Sequence, residues 1–134
     1  MRFTEVIVWQ KAHALALKTI RAADSAPSSQ ATRIVMAQLV KAATSIGANI
    51  AEGHGRHLGK EYAHHLQIAY GSANELENWL VLAQDAGFLA KLDVQELRGL
   101  STEVMKMLSA MLQTLSGRQG IAKLREDLEE YLIP

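Results

Sequence analysis

Four stretches of the chain repeat apolar residues every three or four positions, which is the spacing of a helix that buries one face. They run from about residue 5 to 23, 30 to 53, 59 to 85 and 94 to 115. Short segments of turn-forming residues separate them. The pattern predicts an all-α fold, namely an antiparallel up-down four-helix bundle, with residues 1–134 in a single domain.

Each predicted helix has one stripe of residues that we expect to face the core. The first two stripes are Val6, Trp9, His13, Ala16 and Ile20, and then Val35, Leu39, Ala42, Ile46, Asn49 and Gly53. The other two are Tyr62, Leu66, Ala69, Ala73, Leu76, Leu80 and Ala83, and then Leu97, Ser101, Val104, Leu108, Met111 and Leu115. Small residues line the second helix, and Gly71-Ser72 lies inside the third, so we expect these two helices to pack closely.

Local signals mark where the helices begin and end. Ser28 or Ser29 is placed to cap the second helix, and Asp93 is placed to cap the fourth. Glycine is favoured just past a helix C-terminus, so Gly53-His54-Gly55 is expected to end the second helix. Ser116-Gly117 and Gly120 are expected to end the fourth. We expect residues 121–132 to form a short acidic C-terminal helical tail.

Four polar residues interrupt the apolar stripes of the second and third helices. Asn49 and Glu52 are three positions apart and share a helix face, as do Ser72 and Glu75. Burying a carboxylate without partners is costly, so we expect the four to form a buried structural network that fixes the register of the two helices. On this hypothesis Glu52→Ala costs about 2–4 kcal/mol. A ligand site and simple exposure are the alternatives.

The turn after the second helix contains glycine, arginine and histidine. Gly53 to His57 could hold a phosphate through backbone N–H groups and Arg56, although it lacks the P-loop spacing; a structural loop is the alternative. The histidines near this turn are His54, His57, His64 and His65. Glu61 and His64 match one Glu-x-x-His element of di-iron bundles, which need two such elements and further glutamates.

The sequence therefore predicts no metal and no cofactor, and leaves open only a weak histidine site for zinc or nickel. The chain has no cysteine and no convincing pairing of a nucleophile with a base. We expect no catalytic residues and no enzyme activity.

Charge is balanced overall but sorted along the chain. The 14 basic and 14 acidic residues cancel, yet residues 1–60 carry a net charge of +5 and residues 61–134 a net charge of −5. The halves are expected to attract each other within a subunit or between subunits, with ordinary scatter as the alternative. A neutral chain gives no global attraction to nucleic acid or membrane. We expect a cytoplasmic protein, because cysteine, a signal-peptide hydrophobic region and a membrane-spanning run are all missing from the sequence.

Several motifs together resemble one known family. They are Val8-Trp9-Gln10-Lys11-Ala12, Gln38-Leu39, Lys41-Ala42-Ala43 with Ser45-Ile46, Asn49-Ile50-Ala51-Glu52-Gly53 with Gly55-Arg56, Lys60-Glu61-Tyr62, and Ile68-Ala69 with Gly71-Ser72 and Glu75-Leu76-Glu77. Together they resemble the bacterial four-helix-bundle family named for proteins encoded in the intervening sequences of 23S ribosomal RNA genes. The resemblance covers nearly the whole chain.

The resemblance implies an up-down bundle that assembles into a ring-shaped homopentamer without enzyme activity. Surplus apolar residues on more than one side of the first helix, such as Ile7 and Leu15, also favour an interface. A related accessory protein of diversity-generating retroelements is a basic pentamer that binds a reverse transcriptase and RNA. The resemblance therefore also suggests RNA, DNA or a nucleic-acid enzyme as a partner.

The chain departs from the family pattern at cationic positions. In the family, two basic residues commonly follow Gln-Leu, whereas in this chain Gln38-Leu39 is followed by Val40 and Lys41. After Gly-Arg, the family usually has a basic residue and then a serine cap. In this chain Gly55-Arg56 is followed by His57, Leu58 and Gly59. Both changes weaken the nucleic-acid hypothesis without touching the fold.

The candidate nucleic-acid contacts are Arg33, Lys41, Arg56 and Lys60, with Lys11, Lys18 and Arg21 expected nearby on the first helix. Two functions remain open. One is a non-catalytic oligomeric scaffold for nucleic acid or a nucleic-acid enzyme, and the other is a scaffold for another protein or a small ligand.

Overall fold

Four α-helices follow a short 3-10 turn in the computed structural model, which describes residues 1–56 and 59–119. The turn covers Phe3–Glu5, and the helices are α1 (Ile7–Asp24), α2 (Gln30–Arg56), α3 (Gly59–Asp85) and α4 (Lys91–Gln119). Each helix packs against the next, and α1 also packs against α4, which closes the bundle. The described residues contain no strand, and the predicted all-α four-helix bundle is confirmed. The predicted tail at 121–132 lies outside the described residues.

Two ion pairs fix the register of α1 against α4. Lys11 pairs with Glu103, and Lys18, seven residues later, pairs with Glu96, seven residues earlier, so the helices are antiparallel. By the same register Ile7 lies opposite Met107. α4 therefore continues for twelve residues past the start of α1, a length of about 18 Å at a helical rise of about 1.5 Å per residue.

The predicted stripes of α2, α3 and α4 are mostly buried, but the predicted stripe of α1 is wrong. α1 buries Val8, Ala12, Leu15 and Thr19 instead. Of the predicted residues, Trp9 is half-buried and Ile20 is exposed. α1 carries two apolar stripes, and its spacing alone does not decide which one faces the other three helices.

The predicted helix starts are correct for α2 and shifted for α4. The hydroxyl of Ser29 accepts a hydrogen bond from the backbone N–H of Thr32 at 3.1 Å, so Ser29 is the cap of α2. α4 begins at Lys91, one residue after Ala90, whose carbonyl accepts from the N–H of Val94. Asp93 therefore lies in the first turn of α4 rather than at its cap.

Glycines predicted to end helices lie inside them. α2 continues to Arg56, and α4 continues through Gly117 to Gln119. Gly53 is buried, and a Cβ atom at this position would lie 2.9 Å from the Cβ of His65 and 3.0 Å from Cδ1 of Tyr62. Glycine is needed at position 53 for the close approach of α3, not for a helix end. Gly71 has open space around it, so the expectation that it permits close packing is wrong.

Candidate functional site

A row of hydrogen-bonded polar side chains crosses the contact between α2 and α3. The hydroxyls of Ser45 and Ser72 lie 2.9 Å apart, and Nδ2 of Asn49 donates to the carbonyl of Ser45 at 2.9 Å and to its hydroxyl at 3.1 Å. Oδ1 of Asn49 lies 3.3 Å from Nδ1 of His65. We call these four half-buried residues the polar seam. Two of them, Asn49 and Ser72, were named from the sequence.

The two carboxylates of the predicted network lie outside the polar seam. Glu52 is exposed and accepts a hydrogen bond from Nη2 of Arg56 at 2.8 Å, one turn along the same helix. Glu75 is also exposed, and its oxygen lies 3.4 Å from Nε1 of Trp79. The expectation that Glu52 and Glu75 are buried in the chain is wrong. A step of three residues rotates a side chain by about 60° on the helix, which is enough to bring Glu52 into solvent.

Ser45 and His65 are the members that sequence reasoning missed. Ser45 stands one turn before Asn49, which is the spacing that lets an asparagine side chain reach a serine. His65 contacts an amide rather than a hydroxyl. The polar seam therefore pairs no nucleophile with a base, and its geometry is that of a structural contact between two helices.

Next to the polar seam, Tyr62 packs against Gly53 at the end of the α2–α3 contact. Cδ1 of Tyr62 would be one of the first atoms met by a side chain at position 53. Burial raises the pKa of the Tyr62 phenol, because the charged phenolate loses solvation.

The candidate nucleic-acid residues do not form one cluster. Arg33 and Arg56 are 23 residues apart on α2, about 34 Å along a helix that rises about 1.5 Å per residue. Lys41 lies between them, and Lys60 begins α3 near Arg56. All four side chains are exposed. Within the described residues Arg33, Lys41 and Lys60 have no ion-pair partner, whereas Arg56 pairs with Glu52.

The cations of α1 are largely neutralised inside the chain. Lys11 and Lys18 pair with glutamates of α4. Arg21 lines a cavity of about 270 Å³ together with Asp93 and Glu96. The basic first half and the acidic second half thus attract each other within one chain at the α1–α4 contact.

In the part of the chain that the structure describes, neither Gly53 to Arg56 nor His54, His64 and His65 form an anion or metal site. Gly53 to Arg56 is helical, so its backbone amides point along α2 instead of forming a phosphate cradle. His54 contacts the carbonyl of Met1 at 2.9 Å. Among the residues that the structure describes, no three histidine, aspartate or glutamate side chains gather as metal ligands. His57 lies outside that part of the chain.

An apolar groove with a volume of about 380 Å³ lies between α1 and α2. α1 contributes Trp9, Ala16, Leu17 and Ile20, and α2 contributes Gly47 and Ala48. The Trp9 ring stacks on His13 at 4.7 Å and meets Phe3 edge-on at 5.2 Å. We call this feature the α1–α2 groove. The stripe that was predicted to face the core lines it, and a second apolar stripe on one helix was the signal for it.

Comparisons with known proteins agree with the fold. The model of the 23S rRNA-intervening sequence protein family matches residues 4–110. A crystal structure of a protein of unknown function from the S23 ribosomal protein family of Bacteroides thetaiotaomicron is 27% identical, with a TM-score of 0.73, covering 78% of this chain and 96% of that one. No curated protein matches the chain. With most of its length matched by the family model and its four helices arranged as an up-down bundle, the chain belongs to the family of 23S rRNA-intervening sequence proteins.

Proposed function

We propose that this protein is a non-catalytic, cytoplasmic homo-oligomer, a pentamer, that serves as a scaffold for nucleic acid or for a nucleic-acid-processing partner. The observation that carries the proposal is a set of exposed cations without ion-pair partners in the described residues, Arg33, Lys41 and Lys60. They lie on helices of a family whose name refers to a ribosomal RNA gene. Charged groups of this kind bind phosphates and release counterions.

Exposed apolar surface on α2 supports self-association. By length and composition α2 could cross a membrane, but it packs as one helix of the bundle, and 33% of its most apolar stretch is buried within a single chain. Ile34 remains 58% exposed on this helix. We propose that this exposed apolar side chain lies in a contact between subunits. A ring requires two different patches on each subunit to meet.

Native mass spectrometry and light scattering at micromolar concentration test the assembly. We expect a pentamer for the unmodified protein. Ile34→Glu should shift the population toward smaller species, because it puts a charge into an apolar contact. Gln95→Glu, which makes the same charge change at an exposed position of α4, should leave the pentamer intact. A monomer at micromolar concentration would contradict the oligomeric proposal.

Fluorescence anisotropy with a structured RNA and a duplex DNA tests the nucleic-acid part. We expect weak binding without sequence preference, which falls steeply as salt rises, with a slope of about −0.9 per phosphate contact for duplex DNA. The double variant Lys41→Glu/Lys60→Glu should weaken binding by tenfold or more. Its matched control, Lys91→Glu/Lys106→Glu, makes the same charge change on α4 and should change binding much less.

The second candidate function is a scaffold for another protein or a small ligand, with no nucleic-acid role. The zero net charge and the apolar α1–α2 groove favour it. The chain also has few aromatic residues, 5%, and no row of them to stack on unpaired bases. No binding of RNA or DNA at about 50 mM salt, where phosphate contacts are strongest, would leave this second function in place.

A further inference from the structure

α2 is an apolar helix with much of its surface outside the core of the bundle. Only 33% of its most apolar stretch is buried within one chain. Small side chains, Ala37, Thr44 and Ala48, lie exposed on its outer surface. An apolar helix with this little burial is expected to have further contacts in the assembled protein.

On the α1 side of α2, the α1–α2 groove carries exposed apolar residues near one end of the bundle. Leu17 is 39% exposed and Ile20 is 42% exposed, and both line the groove. Lys18 pairs with Glu96 across the α1–α4 contact. Ile20, two residues further along α1, therefore lies level with residue 94 of α4, and Leu17 lies about one turn away.

On the α3 side of α2, a second apolar patch consists of Ile34, which is 58% exposed, and Leu82, which is 44% exposed. The hydroxyls of Ser45 and Ser72 meet across the α2–α3 contact. Ile34 stands eleven residues before Ser45 on α2, and Leu82 stands ten residues after Ser72 on α3, so Ile34 and Leu82 lie nearly level. We call these two residues the α2–α3 patch.

The α2–α3 patch and the exposed part of the groove lie at the same height along the bundle. Arg98 of α4 pairs with Glu77 of α3. Leu82, five residues later on α3, therefore lies level with residue 93 of α4, one residue from the level of Ile20.

Equal height is what a closed ring requires of two surfaces that meet. A rotation about an axis parallel to the helices moves no atom along that axis, so the two contact surfaces of a subunit must lie level. The α1–α2 groove and the α2–α3 patch satisfy this condition.

The directions of the two surfaces also suit a ring of five. The two contact surfaces of a subunit in such a ring point about 108° apart. Adjacent sides of a four-helix bundle point about 90° apart, and opposite sides about 180°. The groove and the patch lie on the adjacent sides that share α2, which is the closer match.

We propose that the α1–α2 groove of one subunit receives the α2–α3 patch of the next subunit, with Ile34 and Leu82 entering beside Leu17. The occupant of the groove is thus a second copy of this chain. α2 belongs to both contacts and stands nearest the ring axis, which accounts for its exposed apolar surface in one chain. The assignment rests on the proposed homo-oligomer and names the two surfaces that form it.

Cross-linking of introduced cysteines tests the contact directly, because the chain has none of its own. In Leu17→Cys/Leu82→Cys, a short bismaleimide should join chain to chain and give a ladder of products up to the pentamer on a denaturing gel. The control Leu17→Cys/Gln95→Cys places its second cysteine at an exposed position of α4 at similar height. It should give several-fold less product between chains, and equal yields for the two pairs would overturn the assignment.

Mixing two variants tests that the groove and the patch are different surfaces that meet. Leu17→Glu and Ile34→Glu should each form species smaller than the pentamer, because each puts a charge into an apolar contact. An equimolar mixture should form a dimer with one chain of each, because each variant keeps the surface that the other has lost. Native mass spectrometry measures the species, and circular dichroism checks that both variants are folded.

The outcomes separate this assignment from the proposed oligomer. A pentamer for Leu17→Glu, or a mixture that stays dissociated, would overturn the assignment alone while the unmodified protein remains a pentamer. A monomer for the unmodified protein would remove the oligomer and the assignment together.

Discussion

The α2–α3 contact and the α1–α4 contact join neighbouring helices by different means. Between α2 and α3 the backbones approach at Gly53, and the polar seam of Ser45, Asn49, His65 and Ser72 lies in the interface. Between α1 and α4 two ion pairs lie at the rim, with side chains about half exposed. Burial strengthens a contact and makes it intolerant of change, whereas water screens the exposed pairs. We therefore expect changes at the first contact to cost most.

Gly53 is the position where this comparison should give the largest effect. Gly53→Val places side-chain atoms where the Cβ of His65 and the ring of Tyr62 already stand. We expect a loss of about 2–3 kcal/mol, because overpacking forces the two helices apart. Gly71→Val is the matched control in α3, where open space surrounds the glycine. It should stabilise the protein by up to about 1 kcal/mol through helix propensity.

Denaturant melts of the two glycine variants measure this difference. Equal changes in the midpoint at Gly53 and Gly71 would show that α3 does not approach α2 closely at position 53.

The polar seam should give the next largest effect. Asn49→Ala removes the amide that bonds both Ser45 and His65. We expect a cost of about 1–2 kcal/mol, because half-buried hydrogen-bonding groups are left without their partner. Thr44→Ala is the control, since its exposed hydroxyl bonds only to backbone carbonyls of its own helix. A loss at Asn49 no greater than at Thr44 would mean that the polar seam does not stabilise the α2–α3 contact.

Sequence reasoning gave the four helices nearly complete, because periodicity is a local property of the chain. The third predicted segment coincides with α3, and the stripes of α2 to α4 are the ones that the bundle buries. The errors concern the rotation of helices against one another. Whether the Val8 stripe or the Trp9 stripe of α1 faces the core depends on the other helices.

The same reason explains the errors at glycine and glutamate positions. The local sequence does not distinguish a glycine that ends a helix from a glycine that lets another helix pack closely. At Gly53 the distinction depends on where α3 packs. Counting residues along the sequence places Glu52 near the interrupted stripe of α2. A small rotation about the helix axis separates the two, so the Glu52 side chain lies in solvent outside the α2–α3 contact. In the candidate site, the exposed cations could be named from the sequence, but the continuation of α2 through Gly53 and Gly55 to Arg56 could not.

The α1–α4 contact should respond weakly to loss of its charges. In a double-mutant cycle with Lys18→Ala and Glu96→Ala, we expect a coupling energy of about 0.2–1 kcal/mol, because both side chains are solvated. About 1 M salt should abolish it, since the screening length falls to about 3 Å. Thermal or denaturant melts at two salt concentrations measure the coupling. A coupling above about 2 kcal/mol that resists salt would indicate a desolvated pair and would remove the contrast between the two contacts.

Glu52 should matter less than the polar seam beside it, although both were assigned to one network. Its carboxylate pairs with Arg56 in solvent, so Glu52→Ala should cost no more than about 0.5 kcal/mol. Glu52→Gln, which keeps the size of the side chain and removes its charge, should lower the stability by a similarly small amount. A loss above about 2 kcal/mol in the assembled protein would show that a neighbouring subunit buries the carboxylate, since a buried partner left unpaired costs that much.

Tyr62 should give the smallest effect, seen only at alkaline pH. Burial raises the pKa of its phenol above the unfolded value, which is about 10. The stabilisation is therefore complete below the unfolded pKa and is lost as the pH rises through the folded pKa. The phenylalanine of Tyr62→Phe cannot ionise. Between about pH 9 and pH 11 the free energy of unfolding of this variant should therefore fall less than that of the unmodified protein. Lysines also begin to titrate in this range, but they are the same in both proteins. Denaturant midpoints across this range test the difference, and parallel curves would mean that the phenol at the α2–α3 contact is as well solvated as the side chains at the α1–α4 rim.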